Sequence, residues 1–369
     1  MRAAIFADQL FYKQPGGIAA YLRGLLPELA VKLEDDSLVL AHHGPEGARL
    51  FPDSRNISEA SLPRRRDLTG ISWHTLKKPE LESYLGDLDL VHAPSLVYPP
   101  SRAPLVATVH DLIVLKYPRA FPRRWRLFHS RGLKLILREA RVIIADSEST
   151  RGDLASLLQK KDPRMRVIPL GVSTPARIDK AGVEETLRGH GLKPGYVLYV
   201  GTLEPRKNLA RLVESCSSMD TEIREGYGSL VLAGAAGWLG RAELSRIVSH
   251  PGVKWLGHLP REDLEAVYSG ASIFAYPSLY EGFGLPVLEA MARGLPVVTS
   301  NTSSMREVGE GAALLIDPED TGDIRRALQR LLEDGGLRDE LAARGRERAA
   351  EYTWGRTAEL TAGAYRDAL

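Results

Sequence analysis

Two glutamates eight positions apart, Glu281 and Glu289, stand in the stretch Ser278-Leu-Tyr-Glu281-Gly-Phe-Gly284-Leu-Pro286-Val-Leu-Glu289-Ala-Met-Ala-Arg-Gly294-Leu-Pro296. On one continuous helix that spacing gives ~12 Å of rise and roughly 80° of turn. Glycoside-hydrolysing carboxyl pairs work at ~5 to 9.5 Å, so a hydrolytic pair is not expected. The apolar run Ser272 to Tyr276 reads as a buried strand, and the fixed φ of Pro286 suits a first helical turn. A strand therefore passes through a glycine loop into a helix, which Gly294 and Pro296 end. Such a helix start presents N–H groups and partial positive charge, and Gly282 and Gly284 let an anion approach the backbone. The chemistry expected is a phosphate seat with a hydroxyl-accepting acid on either side, the layout a nucleotide sugar needs. An ordinary strand-to-helix turn with surface acids is the plain alternative.

Cations suited to that ligand occur in Tyr199-Val-Gly201-Thr-Leu-Glu204-Pro-Arg206-Lys207-Asn208-Leu. Asn208 is a good helix N-cap, which puts Arg206 and Lys207 at a strand-to-helix turn, the sheet edge where doubly wound folds bind ligands. There they would stabilise charge building on a leaving diphosphate; two solvated surface cations are the bland alternative. His110 and Asp111 directly follow the apolar run Pro104 to Val109 and reach the same kind of edge. A lone histidine is more often structural, and His92, placed similarly after Leu88 to Val91, reads as a sheet-edge residue. Asp87-Leu-Asp89 has an Asp-x-Asp spacing but precedes an apolar run, so it reads as a turn. No His or carboxylate cluster has metal-ligand spacing, so metal-independent chemistry without a cofactor is expected. Neither a P-loop nor a Gly-x-Gly-x-x-Gly fingerprint occurs, which gives no support for a P-loop NTPase or a dinucleotide dehydrogenase.

These groups need two sheets to hold them. The 369 residues suffice for two domains. Strands are expected at Arg2 to Ala7, Leu38 to His42, Leu88 to His92, Leu105 to Val109, Arg141 to Ala145 and Arg166 to Pro169, alternating with helical patterns. After a lapse and a boundary at about Gly171, six more follow: Tyr196 to Gly201, Ser229 to Gly234, Val253 to Leu256, Ser272 to Tyr276, Pro296 to Ser300 and Ala313 to Ile316. Gln14-Pro-Gly16-Gly17 precedes a helix expected from about Ile18 to Val31. Its paired glycines suit either a turn or a loop closing on a ligand. A net charge of +2 argues against nucleic acid as main partner. The one cysteine, Cys216, reads as a small buried hydrophobe. The N-terminus leads directly into a strand and no run is long enough to span a bilayer, so the cytoplasm is the expected location. The basic helix over 122–139, with Trp125, Phe128 and Leu135 to Leu137, reads either as core-facing with a solvated basic face or as a contact for an anionic acceptor or membrane surface.

The 18-residue string from Glu281 to Val298 resembles the Glu-x7-Glu signature of the group 1 glycosyltransferases, family four of the retaining transferases with the GT-B fold. Gly201-x4-Arg206-Lys207-Asn208 resembles the same family's Gly-x-x-x-x-Arg-Lys-Asn element. The resemblance implies two doubly wound Rossmann-like domains, 1–171 for acceptor and 172–353 for donor, with a cleft between them and helix 354–369 crossing back to the first. It implies that Arg206 and Lys207 bind the donor diphosphate and that Gly17 belongs to a loop over the donor. His110 would face the donor sugar, Glu281 its hydroxyls, and Glu289 the ribose. Gly282, Phe283, Gly284 and Leu285 would form the donor-binding loop. The activity implied is retaining transfer of a hexose to a saccharide or lipid-linked acceptor. Gly-Gly-Ile and His-Asp-Leu-Ile-Val-Leu resemble the family's mannosyltransferases, which favours GDP-mannose over UDP-glucose or UDP-N-acetylglucosamine. A nucleotide-sugar epimerase or phosphorylase on the same architecture, or a non-catalytic nucleotide-sugar-binding protein, are the rival readings.

Overall fold

The structure, a computed structural model, describes residues 1–12, 16–63, 65–176, 178–219 and 229–369. It divides into two compact units, Met1–Gly171 with Tyr352–Leu369, and Val172–Glu351.

The first unit carries seven parallel strands: β1 (Arg2–Phe6), β2 (Ser37–His42), β3 (Ile57–Ser61), β4 (Leu90–Ala93), β5 (Leu105–Val109), β6 (Val142–Ala145) and β7 (Met165–Val167), ordered β3-β2-β1-β4-β5-β6-β7. Every residue of β4 and β5 is buried, as expected when helices cover both faces of a parallel sheet. The six apolar runs are all strands. The seventh strand, β3, reads Ile-Ser-Glu-Ala-Ser and pairs only with β2 at the sheet edge. An edge strand half in solvent needs no apolar run, which is why sequence reasoning passed over it.

The C-terminal helix, Trp354–Ala368, lies in this first unit. Thr353 caps it through a bond from the Arg356 N–H. Trp354 fills the space beside Gly24 of the helix Gly17–Lys32, where a Cβ would stand 2.1 Å from the indole. Thr357 donates to the Pro169 carbonyl at 2.8 Å, and Tyr365 packs against His92.

The second unit has six parallel strands, β8 (Tyr196–Val200), β9 (Leu230–Ala233), β10 (Val253–Gly257), β11 (Ala271–Tyr276), β12 (Val297–Ser300) and β13 (Leu314–Ile316), ordered β10-β9-β8-β11-β12-β13. The chain thus folds into the expected pair of doubly wound α/β domains. In each sheet the strand order reverses at one place, between β1 and β4 and between β8 and β11, and ligands of open α/β sheets bind beyond the C-terminal ends of the strands there.

Candidate functional site

In the second unit the turn after β8 and the loop after β11 meet at the reversal point. The turn is a short 3-10 segment, Pro205–Lys207, followed by Asn208 in the left-handed region at φ 61°. Asn208 does not cap the helix Leu209–Ser217 with its side chain, as the sequence suggested. Its amide instead donates to the carbonyls of Pro277 at 3.0 Å and Pro318 at 2.6 Å, tying the turn to the loops after β11 and β13. The Leu279 N–H, donating to the Arg206 carbonyl at 2.8 Å, adds a second tie.

Arg206 and Lys207 are not solvated surface cations. Lys207 is 5% exposed, and its Nζ donates to Glu281 Oε1 at 2.6 Å and to the Tyr276 hydroxyl. Arg206 pairs with the other oxygen of Glu281 and, at 2.7 Å, with Glu204. Burial works to raise the Glu281 pKa, but Arg206 and Lys207 outweigh it and hold the carboxyl down at about 2. Burial, with Arg206 beside it, lowers the Lys207 pKa although Glu281 and Glu204 pull it up. With all four groups ionised, the cluster of two cations and two carboxylates is neutral as it stands.

Glu281 is held by its backbone as well. Ser303 Oγ accepts its N–H at 3.1 Å, and Ser304 Oγ donates to its carbonyl at 2.9 Å. The helix after the loop spans Leu285–Ala292 and stops as expected, with Gly294 at φ 71°. Gly284 has φ 115°, a backbone conformation that side chains rarely adopt, so its glycine is explained by conformation without an open path for an anion. Gly282 and Phe283 are buried and Leu285 half-buried. Pro286 carries no N–H, and the N–H groups of Val287 and Leu288 donate to Gly284 O. Charge for an anion at this edge therefore comes from Arg206 and Lys207 more than from the helix start.

Glu289 occupies different surroundings. Half-buried inside the helix, it accepts from the Tyr268 hydroxyl at 3.3 Å. Arg293 lies 4.4 Å over the Tyr268 ring, pairs with Glu265 at 2.5 Å and donates to the Glu289 carbonyl at 2.7 Å. Burial pushes the Glu289 carboxyl up, against the pull of Arg293 and Tyr268.

In the first unit His110 follows β5, as read from the sequence. Its Nδ1 lies 2.6 Å from Asp146 Oδ2 and its Nε2 3.1 Å from the Pro94 carbonyl, with its side chain 17% exposed. Asp146 follows β6, the neighbour of β5, and the sequence reading did not single it out. His92 is not a sheet-edge residue. It sits on β4 between β1 and β5, wholly buried, bonded to the hydroxyls of Tyr365 and Thr108 at 2.8 Å each, and burial takes its pKa down to about 3. Gly16 and Gly17 open the helix Gly17–Lys32, and a Cβ on either would meet nothing within 4 Å. Internal packing therefore does not demand glycine there. Gln14, read as part of that loop, lies outside the described residues.

Asp89 accepts the Arg2 N–H at 2.7 Å, where β1 and β4 begin, the edge away from His110. Among the described residues no group of three or more His, Cys, Asp or Glu could hold a metal ion. Cys216 is buried. On the helix Arg123–Glu139, Leu133, Leu135 and Ile136 face the core and Phe128 stacks on His74 at 4.2 Å, whereas Trp125 and Leu127 stand exposed. Sequence reasoning missed Glu204, Asp146, Tyr268, Tyr276 and the Ser303–Ser304 pair. Only Glu204, two residues before Arg206, had a local signal.

Residues 184–348 match the family model described as Glycosyl transferases group 1, and residues 15–175 match that of Glycosyltransferase Family 4. O-antigen chain mannosyltransferase B of Escherichia coli is 31% identical to the chain over 379 aligned positions, covering 98% of this chain and 99% of that protein. Sucrose-phosphate synthase of Thermosynechococcus elongatus superposes with a TM-score of 0.76 at 22% identity over 99% of this chain and 98% of that one. The Anabaena protein HepE, solved with UDP and glucose, gives 0.76 at 18% identity over 98% of both chains.

Proposed function

The chain belongs to the group 1 glycosyltransferases with the GT-B fold, and from that premise we propose that it transfers mannose from GDP-mannose to a saccharide or lipid-linked acceptor with retention of configuration and without a metal. The observation that carries this reading is the Arg206, Lys207 and Glu281 cluster at the reversal point of the second sheet. A buried pair of cations at the ligand edge of a doubly wound sheet suits a diphosphate. Together they would neutralise charge on the leaving group as a metal ion otherwise would. Glu281 would then accept hydrogen bonds from the sugar hydroxyls. The chain's own contribution would be orientation and electrostatics, with the departing phosphate taking the acceptor proton. The mannosyl donor is favoured by the near full-length similarity to a mannosyltransferase.

The test is donor consumption across GDP-mannose, UDP-glucose and UDP-N-acetylglucosamine, with and without exhaustive chelation. GDP-mannose should be turned over fastest, with no epimer formed, and chelation should leave the rate unchanged. Epimerisation, phosphorolysis, or binding without turnover would move the assignment to one of the rivals. Recovery of a chelated enzyme by magnesium or manganese would end the metal-free part of the reading.

The exposed Trp125 and Leu127 stand on a helix with Arg123, Arg124 and Arg126, a composition suited to the anionic face of a membrane. No described helix is long and apolar enough to cross one. The proposed place of action is the cytoplasm, peripheral to the membrane. Co-sedimentation with anionic but not zwitterionic vesicles, lost on Trp125→Ser with Leu127→Ser, is the expected result; equal recovery with both lipids would contradict it.

A further inference from the structure

His110 has a hydrogen-bond acceptor at each ring nitrogen. The Pro94 carbonyl at Nε2 can only accept, and an ionised Asp146 carboxylate at Nδ1 can only accept, so both nitrogens must carry protons to satisfy both contacts. We propose that Asp146 is a positioning residue that fixes His110 as an imidazolium, so that His110 acts as a cationic hydrogen-bond donor and not as the base that removes the acceptor proton. Its bearing on the proposed transfer rests on the expectation, drawn from the family resemblance, that His110 faces the donor sugar, yet its protonation can be measured without any turnover.

The surroundings are consistent with a charge held in place. Asp146 is buried, and its Oδ1 has no hydrogen-bond partner among the described residues, so its charge is directed at His110 through Oδ2. Asp111 is the next residue. From the helix Gly17–Lys32, the Tyr21 ring meets the imidazole edge-on at 5.0 Å and its phenol stays neutral, burial pushing that pKa above the ordinary range. From β4, His92 faces His110 and is itself neutral, burial and the nearby His110 charge both holding it so. From the helix Glu148–Leu158, Thr150 donates to the His110 carbonyl at 3.2 Å and brings no charge. Thus the carboxylates of Asp146 and Asp111 are the only charges among these groups. Burial works to lower the His110 pKa, and Asp146 first, then Asp111 and the Pro94 carbonyl, overcome it, so that the net direction is upward. Burial lifts the Asp146 carboxyl in turn, opposed by His110. The Pro94 contact requires a proton at Nε2, and an ionised Asp146 requires the second at Nδ1, so with Asp146 ionised the pair is imidazolium with carboxylate. Of the two bonds, the longer one to Pro94 is the one a ligand oxygen could replace, leaving Asp146 to hold the ring.

Nitrogen-15 NMR of ring-labelled protein, with His110→Gln to assign the signal, reads the protonation state directly. Both ring nitrogens of His110 should still carry protons at pH values above the ordinary histidine range, where a free imidazole has lost one. Asp146→Asn should lower the proton affinity of His110 by ~10-fold or more, while the His92 signal stays that of a neutral ring. A wild-type His110 with one bare nitrogen at about neutral pH overturns the proposal, and so does a His110 titration unchanged in a folded Asp146→Asn protein. If that variant does not fold, the wild-type spectrum alone decides. Loss of glycosyl transfer with the imidazolium intact would instead count against the proposed function.

Discussion

Glu281 Oε1 lies 2.6 Å from Lys207 Nζ while its other oxygen is bonded to the Arg206 guanidinium, so one carboxylate occupies both cations proposed to receive the diphosphate. A dianion entering this balanced cluster competes with Glu281 for the same donors. Opening the pair would release Glu281 to meet the sugar as the phosphates arrive. Removing its charge should therefore separate two properties that usually fall together. Glu281→Gln should bind the nucleoside diphosphate about 10-fold more tightly, since two cations at ~4 Å lose a competitor. The same variant should lose on the order of 10²-fold in kcat, the scale of one preorganised electrostatic partner. Calorimetry and steady-state kinetics check both. Weaker diphosphate binding by Glu281→Gln would refute the competition.

Arg206→Ala is expected to act in the opposite direction on binding. It removes a charge-assisted donor and leaves Glu204 and Glu281 facing the ligand, so diphosphate affinity should fall by ~1.5 to 3 kcal/mol. An unchanged calorimetric affinity would show that the diphosphate sits elsewhere.

The cluster also sets a pH dependence. The Glu281 pKa is lowered in the folded chain from 4.5 to about 2, so its ion pairs stabilise the fold fully above about 4.5 and lose that contribution as pH falls toward 2. The linked stability is on the order of 3 kcal/mol. For His110, whose pKa is raised, the sign reverses: its contribution is present below the ordinary histidine range and fades as pH rises through the folded value. Denaturant unfolding of wild type and Glu281→Gln between about pH 5 and pH 2.5 should show a steeper fall for wild type. Parallel curves would mean that the pair is already open in solution.

Tyr268 and Glu289 provide a separate handle on the donor. If Glu289 holds the ribose, its contact is the same before and during reaction, so Glu289→Gln should raise donor KM with little change in kcat. Tyr268→Phe removes the hydroxyl that orients Glu289 and should raise the same KM several-fold, roughly 1 kcal/mol. A fall in kcat equal to that of Glu281→Gln would mean that the two glutamates share one task.

Much of this site could be read from local sequence because its residues mark turns. Apolar runs located every buried strand, and the acids and cations directly after Val200 and Tyr276 were placed at strand ends by the same reasoning. What stayed hidden were partners set by sheet order. Asp146 is 36 positions from His110 and becomes its neighbour only because β6 pairs with β5. Ser303 and Ser304 reach Glu281 from the first turn of the helix Ser303–Gly309 after β12 for the same reason. Asn208 was misjudged because an asparagine before a helix usually caps it, whereas here its left-handed backbone turns the amide toward Pro277 and Pro318. A histidine after an apolar run likewise has two fates: His92 lies inside β4 and is buried in the core, whereas His110 lies just past the end of β5 and is half-buried.

The central claim is transfer of mannose with retention, and proton NMR of the product formed from GDP-mannose under chelating conditions tests it most directly. The account predicts donor consumption with a new glycosidic linkage whose anomeric configuration is that of the donor sugar, and loss of that signal in Glu281→Gln. A product of inverted configuration, or release of mannose to water alone in the presence of competent acceptor, would contradict it.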